Sequence, residues 1–130
     1  MILLDTHVVL WLAFEDAKIS RKARAAIEEA RKNGEGLAVS DISLLEIATL
    51  ERKSRITLRS TLEAFLTEIE SRFVVFSISA RVCVRAMRFP AAYPNDPADR
   101  VIGATALING ISLVTADEGI RRSRAIPIIW

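Results

Sequence analysis

The sequence predicts a single α/β domain in which a parallel sheet is sandwiched between helices. Three observations carry that expectation. Short apolar runs of strand type alternate with longer segments of helical periodicity along the whole chain, the order that parallel βαβ units require. A length of 130 residues suits one domain. A hydrophobic content of 51% is ample for one closed core without disulfides or a structural metal.

The elements follow in order. Ile2 to Leu4 reads as a buried strand that ends on Asp5. Thr6 then fits as the cap of a helix that carries Val8, Val9, Trp11 and Leu12. Ser20 and Gly34 have the chemistry of N-cap and C′ residues for a second helix, rich in alanine and charge. Leu37 to Val39 is a strand leading into an apolar helix from Ile42 to Arg52, with Ser43 or Asp41 as its cap. Leu58 to Arg72 has helical periodicity, with Leu62, Phe65, Leu66 and Ile69 on one stripe.

Phe73 to Phe76 is a β-branched and aromatic run, hence a strand, and Ser79 opens a helix that ends near Phe89 and Pro90. Three prolines and an Asn-Asp pair make 90–97 a loop. A helix then runs from Pro97 to Asn109 and stops at Gly110. Ser112 to Thr115 is strand-like and leads to Asp117. A short helix at 119–123 and a strand at Ile128–Ile129 complete the pattern.

Composition narrows the function classes. The single cysteine, Cys83, rules out an internal disulfide, and no Cys/His cluster offers a zinc site. Beside Val82, Val84 and Met87, Cys83 reads as a small buried hydrophobe. The apolar run from Met1 to Phe14 contains Asp5 and His7 and is too short for a bilayer, so a cytoplasmic protein with no membrane association is expected. Net charge is only +2, but basic residues cluster at Arg52, Lys53, Arg55 and Arg59, at Arg81, Arg85 and Arg88, and at Arg121, Arg122 and Arg124. Such clusters can grip phosphates, although a solvated surface accounts for any one of them equally well.

The acidic residues are the most informative. Ligands of open parallel sheets bind beyond the carboxyl ends of the strands. Ile2-Leu3-Leu4-Asp5 and Leu113-Val114-Thr115-Ala116-Asp117 would place two carboxylates on that rim if their strands are neighbours. A lone Asp after a strand is more often a turn former or cap. Glu46 lies four residues from both Ile42 and Leu50, on an apolar face where an unpaired charge is costly. Asp96 and Asp99 sit where a loop meets a helix. Asp96 before Pro97 fits an N-cap, and Asp99, one position before Arg100, is less well explained by capping. Asp41 reads as a surface carboxylate.

Carboxylates gathered in one pocket repel one another and have raised pKa values. A hard divalent cation relieves that conflict, and an all-oxygen site points to Mg2+ or Mn2+. Such an ion activates water and neutralises the charge that develops on a phosphodiester.

Four segments together resemble the PIN-domain ribonucleases, in particular the VapC-type toxins of toxin–antitoxin pairs. They are Leu4-Asp5-Thr6-His7, the run from Ser43 to Ala48, the run from Asp96 to Ala106 and the run from Leu113 to Asp117. The resemblance runs nearly end to end, in the family's order and at its usual size, so that 1–130 is one PIN-like domain. It implies an endoribonuclease with a magnesium or manganese pocket, and a homodimer held inactive by a small antitoxin. By motif matching, Asp5, Glu46, Asp99 and Asp117 take the family's catalytic acidic positions, with Asp5, Asp99 and Asp117 as metal ligands. Asp96 and Thr115 match accessory positions.

His7, the only histidine, has no partner that the sequence places, and it stays outside the catalytic set. Trp11, Phe14 and Trp130 read as core or dimer surface rather than base-stacking platforms. Two other functions stay open at this point. A phosphatase-like hydrolase with Asp5 as nucleophile would want an acid where His7 stands. A non-enzymatic module could use an acidic pocket only to dock a basic tail.

Overall fold

The computed structural model describes residues 1–130. Its strands are β1 (Ile2–Leu4), β2 (Leu37–Ser40), β3 (Val74–Phe76), β4 (Leu113–Val114) and β5 (Ile128–Ile129). They form one parallel sheet of order β3-β2-β1-β4-β5. The helices are α1 (Thr6–Phe14), α2 (Arg21–Lys32), α3 (Ile42–Arg52), α4 (Leu62–Arg72), α5 (Ala80–Ala86), α6 (Pro97–Asn109) and α7 (Glu118–Ser123). A 3-10 turn at Asp16–Lys18 joins α1 to α2.

Strands of two to four residues cannot hold a sheet by their ladders alone, since each backbone bond adds only about 1 kcal/mol net. Apolar burial on both faces does the rest. Successive strand residues point to opposite faces, so Leu4, Leu37, Val39 and Val114 pack under α1 to α4. Leu3, Ala38 and Leu113 pack under α5, α6 and α7. This is the doubly covered sheet that the sequence predicts. The direction of strand progression reverses between β1 and β4, which pair in the register Leu3–Leu113 and Leu4–Val114. The crevice beyond their carboxyl ends is therefore the switch point of the fold.

Local chemistry corrects several expectations. Asp5, not Thr6, caps α1, because its Oδ1 accepts the Thr6 N–H at 2.8 Å and Thr6 is already helical. α4 begins at Leu62 rather than Leu58, since the Thr61 hydroxyl accepts from Ala64 N–H and fixes the start there. Cys83 is exposed. α5 is only seven residues long and buries the i,i+4 pair Val82 and Ala86, which leaves Cys83, Val84 and Met87 facing outward. Trp11, Phe14 and Trp130 are half-buried at the edge of the core, with Phe14 stacked on Phe65.

Asp41 is not a free surface carboxylate. Its Oδ2 accepts from Ile78 N–H, tying the turn after β3 to the end of β2, while Oδ1 is enclosed without a partner. Ser20, Gly110 and the proline at the start of α6 hold the places that their chemistry predicts.

The loop before α6 is locked by a close approach. Tyr93 is buried, stacks on Phe89 at 3.9 Å, and donates its hydroxyl to the Asp99 carbonyl at 2.6 Å. Its ring fills the space where any side chain on Gly103 would begin. The first turn of α6, which carries Asp99, is thereby tied to the buried Tyr93 of the preceding loop.

Candidate metal centre

Asp5 and Thr115 stand side by side at the switch point, one residue past β1 and β4, and the Asp5 N–H bonds to the Val114 carbonyl. The two Asp5 oxygens have different partners. Oδ1 accepts from Thr6 N–H, and Oδ2 accepts from the Thr115 hydroxyl at 2.6 Å. That hydroxyl in turn accepts the Asp117 N–H at 3.0 Å. Thr115 thus fixes both the carboxylate of Asp5 and the backbone that presents Asp117. Asp117 caps α7 through Ile120 N–H, and Asp96 caps α6 through Asp99 N–H.

Glu46 comes from the middle of α3 and faces the same rim. The Thr6 hydroxyl bonds to its Oε1 and also lies 2.8 Å from Ser43 Oγ. A hydroxyl has one proton, so Thr6 gives it to the carboxylate and Ser43 supplies the second bond. Burial, followed by the charges of Asp5 and Asp96, raises the Glu46 pKa against the lowering effect of Thr6.

Asp99 is the most perturbed acid. Burial first, then the like charges of Asp5, Asp96, Asp117 and Glu46, push its pKa up to about 7. Position in the first turn of a helix would by itself favour the anion, so burial and repulsion outweigh the dipole. Asp5, Asp96 and Asp117 each have a capping duty that accounts for them structurally. Asp99 has none, since its carboxylate makes no hydrogen bond or ion pair within the chain.

No lysine or arginine offsets this charge. The ion pairs of Lys18, Arg24, Arg72 and Arg122 all lie with other acids. Arg100, next to Asp99, turns away to the Ala86 carbonyl and Asn95. The donor set is all oxygen, acidic and short of positive charge, which fits a hard divalent cation. No three of these carboxylates stand close enough to ligate one ion together. They suit an ion that keeps part of its water shell better than a closed protein cage.

Sequence reasoning missed Thr6 and Ser43 as supports of Glu46, and His7 as a contact of the rim. The His7 ring accepts the Ala116 N–H at Nε2 and lies 3.6 Å from Asp5 at Nδ1. Nothing local in the sequence signals these links, which join residues far apart along the chain.

The PIN domain family model matches residues 2–125, from the first strand to the turn before the last. The chain belongs to the PIN-domain family. This PIN domain is 37% identical over 123 residues to Ribonuclease VapC22 of Mycobacterium tuberculosis, covering 95% of the chain and 92% of that relative. Its fold is that of VapBC2 from Rickettsia felis, solved bound to a promoter DNA fragment, with a TM-score of 0.71 at 18% identity. That match covers 98% of this chain and 97% of the other. DNA-bound VapBC from Salmonella typhimurium has the same fold, with a TM-score of 0.68 at 22% identity and the same coverage of 98% and 97%. No helix of this PIN domain is long and apolar enough to cross a membrane.

Proposed function

We propose that this chain is a divalent-metal-dependent endoribonuclease, the toxin of a toxin–antitoxin pair, with Asp5, Glu46, Asp99 and Asp117 as its catalytic carboxylates. The observation that carries the reading is the uncompensated acidic rim at the switch point, with Asp99 held at about 7 and no cation beside it. The ribonuclease name of the relative sharing 37% of its residues supports RNA as the substrate. Asp5, Asp99 and Asp117 would hold Mg2+ or Mn2+, in part through water. When bound, the ion supplies positive charge that lowers the pKa of water and neutralises charge growing on the phosphodiester.

The chain's own groups prepare that site. Thr115 aims Asp5 and anchors the turn of Asp117, while Thr6 aims Glu46. Asp96 starts α6 and so fixes the turn that brings Asp99 within electrostatic reach of Asp5, Asp117 and Glu46. Arg121 and Arg124, exposed in α7 and just after it, would supply positive charge for flanking phosphates.

A small antitoxin presenting an arginine is the partner this pocket would accept without RNA. Toxin–antitoxin complexes among the structural neighbours support such a partner. Exposed apolar side chains, among them Leu45, Val84 and Met87, favour a homodimer.

One preparation tests the whole reading. The free protein should sediment as a dimer, cut structured RNA with magnesium or manganese, fail in chelator, and leave phosphomonoesters intact. Co-expression with the product of the adjacent gene should yield a complex that no longer cuts. RNA cleavage that survives chelator would overturn the metal reading. A preparation with no cleavage under any condition would overturn the nuclease reading.

A further inference from the structure

We infer that His7 is a positioning residue, a strut that fixes the turn between β4 and α7 relative to Asp5. This rests on the proposed reading of Asp5 and Asp117 as metal ligands. The strut has three contacts, each with a separate job. At one end the ring accepts the Ala116 N–H at Nε2, 3.0 Å away, and the next residue is Asp117. A ring nitrogen that accepts carries no proton, so the proton sits on Nδ1. At the other end Nδ1 faces Asp5 Oδ2 at 3.6 Å, too long for a hydrogen bond but close enough for the N–H dipole to favour the carboxylate. The ring plane is set by Trp11, whose centroid is 4.8 Å away and tilted by 60°.

Two consequences follow from that geometry. Ala116 is half-buried, and its N–H bonds to no carbonyl, so His7 is the acceptor that keeps this turn from opening. Thr115 holds the same turn from the Asp117 N–H. Two successive amides, of Ala116 and Asp117, are thus pinned by two side chains, and both of those side chains also meet Asp5 Oδ2. The spacing between the acids at the ends of β1 and β4 is therefore set by side chains as well as by the sheet. Outer partners of this kind commonly change metal affinity by 10- to 100-fold when removed.

The test uses two variants with different reach. In His7→Gln, the amide oxygen extends to the place of Nε2 and can accept the Ala116 N–H; His7→Ala leaves that N–H without a partner. Amide hydrogen exchange in chelator reads the strut itself, and manganese titration reads its effect on the site, neither depending on RNA cleavage. The His7→Ala protein is expected to fold, to exchange the Ala116 amide at least about tenfold faster, and to bind manganese about tenfold more weakly. His7→Gln should restore both to within about threefold. Wild-type exchange at Ala116 in His7→Ala, or manganese affinity unchanged in it, would overturn the assignment. So would a His7→Gln variant as impaired as His7→Ala, because the imidazole would then act by other means. Wild-type protein that binds manganese but leaves RNA intact would refute the nuclease reading and leave the strut standing.

Discussion

Asp99→Asn is expected to lose RNA cleavage by about 100-fold or more while the protein stays folded, measured on structured RNA in magnesium and in manganese. Asp99 is the cleanest residue at which to ask the question. Its carboxylate has no capping or pairing duty, so Asn removes charge and little else. Asp5 is a harder test, because both of its oxygens accept bonds. Asp5→Asn should lose activity as fully, but it also turns an amide nitrogen towards one donor, at a cost of about 1 kcal/mol. Asp99→Asn within a few-fold of wild type would remove Asp99 from the site.

The second large effect is on stability. A Cβ on Gly103 would lie 2.1 Å from the Tyr93 hydroxyl oxygen and 2.8 Å from its ring carbon. Real contacts of that kind do not occur, and the ring cannot retreat because Phe89 is stacked on it at 3.9 Å. Gly103→Ala must therefore expel Tyr93 or push α6 outward, losing packing and the bond to the Asp99 carbonyl. The expected loss is about 3 kcal/mol, roughly 10 °C in melting temperature. Adding Tyr93→Phe removes the nearest atom, so the double variant should melt above Gly103→Ala alone. A Gly103→Ala protein melting within about 1 °C of wild type would refute the lock.

The alternation of strands and helices, the sheet type and the stops at Gly34 and Gly110 were legible in the sequence because they depend on local period and local chemistry. The rim positions of Asp5 and Asp117 were legible for the same reason, as ends of apolar runs that turned out to be paired strands. What the sequence hid is carried by distant pairs. Thr6 meets Glu46 across 40 positions, and His7 meets Ala116 across 109. Cys83 failed as a core residue because apolar neighbours in a sequence say nothing of which side of a short helix is covered. Asp41 failed as a surface residue because its partner, Ile78, arrives from the turn after β3.

On the proposed reading, a divalent ion relieves the cost that burial first, and then repulsion from Asp5, Asp96, Asp117 and Glu46, imposes on the Asp99 carboxylate. In the folded protein Asp99 titrates at about 7, against an ordinary 3.8. Between those values the unfolded chain releases its proton first, so the contribution of Asp99 to the stability of the metal-free protein falls as pH rises from about 4 to 7. Asp99→Asn lacks that group and should not share the loss. The deciding measurement is the melting temperature of wild type and Asp99→Asn in chelator at pH 8 and pH 4.5, then with manganese at pH 8. At pH 8 in chelator the variant should melt higher, by about 1 kcal/mol after solvent screening, or roughly 3 °C. The gap should shrink at pH 4.5, and manganese should reverse it, because only the intact cluster gains the full binding free energy. A variant that melts below wild type in chelator and gains as much from manganese would contradict the account.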